Sequence, residues 1–103
     1  MKFYLLPLVA VAALTAAHTA SAATAEELLQ GKVCIACHNV DTKMVGPAYK
    51  GVAAKYAAQD DAKEHLNSSI QGGSSGIWGP IPMPPNAVTD EEAAILADWI
   101  LAL

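Results

Sequence analysis

Beyond residue 22, apolar side chains recur at helical spacing in four separate stretches. Thr24-Ala25-Glu26-Glu27 has the form of a capping box, Thr24 as N-cap and Glu27 reaching back. It predicts a first helix through Leu28 and Leu29 toward Lys32. Tyr49, Val52, Ala53 and Tyr56 fall at i, i+3, i+4 and i+7, which predicts a second helix, with Pro47 suited to its first turn. Gly51 sits inside it at a cost of about 1 kcal/mol relative to alanine, and the sequence supplies no reason for it. Ala62, Leu66, Ser69 and Ile70 share a face of a third helix, capped by Asp60 or Asp61 and stopped at Gly72-Gly73. A second capping box, Thr89-Asp90-Glu91-Glu92, opens a last helix marked by Leu96, Trp99, Ile100 and Leu103. Residues 39–46 and the Gly-, Ser- and Pro-rich residues 71–86 read as loops. The expectation is an all-α fold of four short helices and one long proline-rich loop.

The start of the chain follows a different pattern. Lys2, an apolar run over residues 3–17 and the small-x-small triplet Ala20-Ser21-Ala22 have the anatomy of a secretory signal peptide. A membrane-spanning helix needs about 20 apolar residues, so this run is short for one. Removal of residues 1–22 leaves one domain of 81 residues, 23–103, with one residue of ambiguity at Ala22-Ala23. A domain that small buries a modest core and commonly relies on a covalent staple.

Composition changes the picture in one respect. The mature part carries five lysines, no arginine and ten carboxylates, and is therefore acidic. That argues against nucleic acid or an anionic membrane as partner. Four of the lysines (Lys32, Lys43, Lys50 and Lys55) lie in residues 23–59, while residues 60–103 hold Lys63 against seven acids. The lysines either ring a functional edge or form ordinary solvated faces; charge alone does not choose.

The strongest chemical signal is Cys34-Ile35-Ala36-Cys37-His38, the C-x-x-C-H pattern of c-type haem attachment. Thiols at this spacing can add to two vinyl groups of one haem, and the histidine that follows can offer its imidazole to the iron. Competing readings exist. A thioredoxin-type pair expects a βαβ context, a zinc site needs more ligands than His65 alone can add, and a disulfide would close a very small loop.

A sixth iron ligand would separate a carrier from a catalyst. Met83 stands in Trp78-Gly79-Pro80-Ile81-Pro82-Met83-Pro84-Pro85-Asn86, where prolines hold a soft thioether without helical support. Core filler is its bland alternative. Met44, six residues past His38, suits packing or surface better, and His65, between charged neighbours, reads as a solvated surface histidine.

With the motif at 34–38, Met44-Val45-Gly46-Pro47-Ala48-Tyr49-Lys50 and residues 78–86, the chain resembles the small bacterial class I cytochromes c of the c551 type. The resemblance spans the mature chain. It implies the class I cytochrome c fold, four short helices around one haem c bound through thioethers at Cys34 and Cys37, with His38 and Met83 as axial ligands. It also implies that Pro47 offers its carbonyl to His38, that Trp78 bonds a haem propionate, and that Asn86 approaches the ligand sulfur. Each has a purely structural alternative: helix starter, core residue and turn residue. Ser69 stands where the family often has a basic residue near a buried propionate, so a pH-linked propionate titration does not carry over. The resemblance further places the first helix on the last, Leu28 or Leu29 against Trp99.

The function implied is a monomeric periplasmic carrier of single electrons, not an enzyme, without stable membrane insertion once processed. Its partners would dock at an exposed haem edge bordered by Ile35, Ala36, Met44, Val45, Ile81, Pro82 and Pro84. The donor implied is a quinol-oxidising cytochrome complex; the acceptor is a terminal oxidase, a nitrite reductase or a cytochrome peroxidase. The alternative class is a haem sensor or peroxidase with a displaceable Met83, and carbon monoxide binding to the reduced protein discriminates the two. A small zinc-binding module, the third class, would be colourless.

Overall fold

The computed structural model describes residues 22–103 without a break, and before them positions 2, 3, 7, 9, 10 and 12. The leader expected over residues 1–22 falls largely outside the described residues. Helices α1 (Ala25–Gly31), α2 (Tyr49–Tyr56), α3 (Ala62–Gly72) and α4 (Asp90–Leu101) follow the order that the hydrophobic spacing predicts. A 3-10 turn at Cys34–Ala36 lies between α1 and α2. Among the described residues, β-type pairing is confined to one antiparallel bridge, Ser74 to Met83. No helix of the described residues is long and apolar enough to cross a membrane.

Helix α4 is the element on which α1, α2 and α3 all pack. Ala93 and Ala97 are 0% exposed and Leu96 2%, so small side chains let the neighbouring backbones approach α4 while Leu96 fills the centre. Leu28 and Leu29 of α1, Val52 and Tyr56 of α2, and Leu66 and Ile70 of α3 complete one apolar cluster, with Trp99 packed against it. The full predicted stripe of α2 is buried. That of α4 is only partly so: Leu96 and Ile100 are buried, whereas Leu103 is 43% exposed because the helix ends at Leu101, before the stripe's last position.

The caps follow the sequence with informative exceptions. At Thr89 the capping box is complete: its hydroxyl accepts from Glu92 N–H at 3.1 Å and its N–H donates to Glu92 Oε1 at 2.9 Å. That backbone hydrogen bond holds the Glu92 carboxyl below the usual range. At Thr24 the box is half-formed: the hydroxyl accepts from Glu27 N–H and meets Glu27 Oε1, both at 3.2 Å. Asp61 occupies the N-cap position of α3, but its side chain makes no cap hydrogen bond. Pro47 is not in the first turn of α2; the helix starts at Tyr49 with Ala48 as N-cap, which leaves the Pro47 carbonyl outside the helical ladder.

Gly51 has no packing reason in the structure, since a Cβ built there meets nothing within 4 Å. Gly51→Ala is expected to stabilise the protein by about 0.5–1 kcal/mol through helix propensity. A thermal melt that is unchanged or lowered would show that helix propensity does not decide this position.

Candidate functional site

The 3-10 turn delivers the motif as one compact hook. Val33 enters it in the left-handed region (φ 61°), unusual for a β-branched residue and a point of local strain. From there Cys37 N–H and His38 N–H both donate to Cys34 O, at 3.2 and 3.0 Å, which curls both cysteines and the histidine around one turn. Cys34 and Cys37 form no disulfide and are each partly buried. Burial pushes the Cys34 thiol up, so it stays protonated at neutral pH.

The His38 ring is fixed from three sides. Its Nδ1 lies 2.8 Å from Pro47 O. A carbonyl only accepts, so Nδ1 carries the proton and Nε2 keeps its lone pair for a metal. Tyr49 stacks on the ring at a centroid distance of 4.9 Å and an interplanar angle of 21°, and Trp99 meets Tyr49 edge-on at 5.4 Å. Burial, with the nearby thiols, pushes the Tyr49 phenol well above its ordinary range, so it stays neutral. The third side is Gly46, where an added Cβ would stand 2.5 Å from His38 Cε1. The loop is tied back by Gly46 N–H to Cys37 O at 2.8 Å and Tyr49 N–H to Asn39 O at 3.0 Å.

Met83 is held by main chain. It exchanges two hydrogen bonds with Ser74, Met83 N–H to Ser74 O at 2.7 Å and Ser74 N–H to Met83 O at 3.0 Å. Gly73 permits this approach: it has φ 82°, and a Cβ there would lie 2.7 Å from Met83 O. Asn86 fastens the other end of the loop to α3. Its N–H and its Nδ2 both donate to Ile70 O at 3.1 Å, and Nδ2 lies 3.2 Å from Pro84 O.

These pieces meet at one cavity of ≈ 420 Å³, whose walls include Cys34, Cys37, His38, Met83, Trp78 and Asn86. Pro47 lines it too. All seven predicted site residues are therefore brought together. The donor set suits a haem: two thiols for covalent attachment, an imidazole lone pair and a thioether among largely apolar walls. Trp78 is 38% exposed, with the Lys55 ammonium 5.3 Å from its ring centroid. The expected apolar rim is exposed, Ile35 by 53%, Val45 by 52% and Ile81 by 61%. Of the four lysines of residues 23–59, Lys43 lines the cavity and Lys55 lies over Trp78, while the other two are engaged. Lys32 turns to Ala87 O (3.1 Å) and Glu92 (3.8 Å), and Lys50 pairs with Asp41 at 2.6 Å.

His65 differs from its expected place. It is partly buried, its ring lies 4.7 Å from that of Tyr56, and it lines the same cavity. Charged neighbours in sequence concealed this because Lys63 and Glu64 point elsewhere on the helix: both are exposed, and Lys63 pairs with Asp98 of α4. Sequence reasoning also missed Gly46 and Gly73 as positioning residues. Gly46 gives no sequence signal beyond its place beside Pro47, and Gly73 signals only a helix stop.

The cytochrome c family model matches residues 22–103. Cytochrome c-551 of Pseudomonas denitrificans is 61% identical over 80 residues, 78% of this chain and 98% of that protein. Cytochrome c-551 of Stutzerimonas stutzeri is 54% identical over 103 residues, 100% of this chain and 99% of that one. The crystal structure of wild-type cytochrome c552 from Nitrosomonas europaea superposes with a TM-score of 0.74 at 59% identity, covering 76% of this chain and 98% of that one.

Gly46→Ala and Gly73→Ala are each expected to destabilise the protein by more than about 1 kcal/mol, the cost of forcing a methyl into a filled space. The thermal melt of the holoprotein reads this. Melts equal to wild type would remove the glycines from the positioning of His38 and Met83.

Proposed function

Because the chain belongs to the cytochrome c family, has the class I fold, carries one covalently attached haem c and is a monohaem electron carrier, we propose the following reading of its site. Cys34 and Cys37 would hold the haem through thioethers, and His38 and Met83 would be the two protein ligands of its iron. The observation that carries this is the shared cavity in which a His38 with Nδ1 engaged by Pro47 and a backbone-fixed Met83 occur together. When bound, the haem supplies a one-electron couple. The chain's own contribution is to hold both ligands before and after transfer, so that little reorganises.

The Pro47 carbonyl orients the His38 ring and raises its basicity. The soft Met83 sulfur favours the ferrous state relative to a second histidine. Trp78 is assigned to a propionate. Asn86 is assigned to the methionine side of the haem, where its amide pins the loop to α3. The exposed rim of Ile35, Val45 and Ile81 suits brief docking of redox partners in a small interface. Those partners are a quinol-oxidising cytochrome complex as donor and a terminal oxidase, nitrite reductase or cytochrome peroxidase as acceptor. The reading includes cleavage of residues 1–22, a periplasmic location and no enzymatic activity.

His65 on the cavity wall is the one feature that a sensor or peroxidase would also use. A backbone-fixed Met83 offered to the iron would leave no position for peroxide or a gas, which favours the carrier. Met83→Ala is expected to open the iron to carbon monoxide in the reduced protein, to remove the weak charge-transfer absorption of methionine ligation from the oxidised one, and to lower the potential. An unchanged spectrum and potential would refute Met83 as a ligand. Carbon monoxide binding to the unmodified reduced protein would favour the sensor or peroxidase.

A further inference from the structure

The cavity that collects the haem-binding residues has few walls that can change charge near neutral pH. The described segment 73–89, which carries Met83, has no ionisable side chain at all. Of the ionisable residues on the other walls, Cys34 and Cys37 are consumed as thioethers and His38 as an iron ligand. Tyr49 and Tyr56 are kept neutral by burial, which raises both phenols. Lys32 is held by Glu92 and Ala87 O, and Lys43 is the other lysine on the wall. His65 remains. An imidazole is the side chain whose charge changes between about pH 5 and 8.

The groups around His65 come from α2 and from its own helix. From α2 it faces Tyr56, whose ring lies 4.7 Å away and carries no charge. On its own helix, Asp61 meets it through the main chain, His65 N–H to Asp61 O at 2.9 Å. Lys63 and Glu64 are exposed neighbours, and Lys63 is engaged by Asp98 of α4. Ser69, one turn on and also on the cavity wall, is neutral. No cation or carboxylate of this chain is fixed against the ring by a hydrogen bond or ion pair among the described residues.

We propose that His65 is a proton-binding site linked to the oxidation state of the haem, so that this carrier takes up part of a proton with each electron. Between its two proton affinities, His65 takes up a fraction of a proton from solvent for each electron that the haem gains, and releases it as that electron leaves. The cause is electrostatic. The oxidised centre carries one more positive charge than the reduced one, and a partly buried cavity screens that charge from an imidazole on its wall less than water does. Linkage makes the effect reciprocal: protonated His65 favours the reduced form, and reduction favours protonated His65. This rests on the haem reading of the same cavity.

The test uses the holoprotein. The midpoint potential is measured from pH 5 to 8 in wild type, His65→Gln and His65→Phe, the last retaining a ring against Tyr56. The His65 ring protons are followed by NMR through the same titration in both oxidation states. The wild-type potential is expected to fall as pH rises through the imidazole range, and both variants to be flat there. The imidazole is expected to bind its proton severalfold more tightly in the reduced protein. Equal proton affinity in the two states would overturn the proposal. So would an undiminished pH dependence in both variants, which would assign the proton to a haem propionate. A sample without redox-dependent haem absorption would overturn the haem reading first, and this proposal with it.

Discussion

The hydrogen bond from His38 Nδ1 to the Pro47 carbonyl is the contact from which the rest of the site can be traced. It decides the tautomer, and with it which nitrogen is left for a metal. It exists because α2 starts two residues later than the proline, at Tyr49, leaving that carbonyl free of helical bonding. It stays in place because Tyr49, the first residue of α2, stacks on the same ring, and because Gly46 has no side chain to push the ring away. Helix start, tautomer and ring orientation are thus one local arrangement.

The helices serve that arrangement. Trp99 of α4 meets Tyr49 edge-on, so the face of α4 that α1, α2 and α3 pack on also backs the histidine. The Met83 side is built by other means. There the loop lacks helical support, and its position comes from a two-bond exchange with Ser74 and from Asn86 gripping the last turn of α3 at Ile70. Neighbouring prolines reduce the conformations available to that loop before folding, which lowers the entropy lost in fixing it. An imidazole and a thioether are therefore positioned by two kinds of scaffold, the first backed by helices and the second clamped in a loop.

Much of this was legible in the residues. The four helices follow from apolar spacing, the haem motif from two cysteines and a histidine, and Met83 from its prolines. The limits have physical causes. Helix ends depend on local hydrogen bonds that spacing does not encode, so the sequence pattern puts Pro47 in the first turn of a helix that begins after it. Gly46 and Gly73 matter for what approaches them across the fold, His38 and Met83, and neither approach is written in neighbouring residues. The sequence neighbours of His65 point to solvent, while its environment is set by Tyr56 on another helix. Leu103 kept the period of α4 beyond the point where there was a helix to bury it.

The central claim is that this small domain closes on a haem bonded to Cys34 and Cys37. The mass of the exported protein, taken under denaturing conditions that strip any group not covalently held, tests it most directly. The account predicts the mass of residues 23–103, allowing one residue at the cleavage point, plus one haem. A mass equal to the polypeptide alone would contradict it.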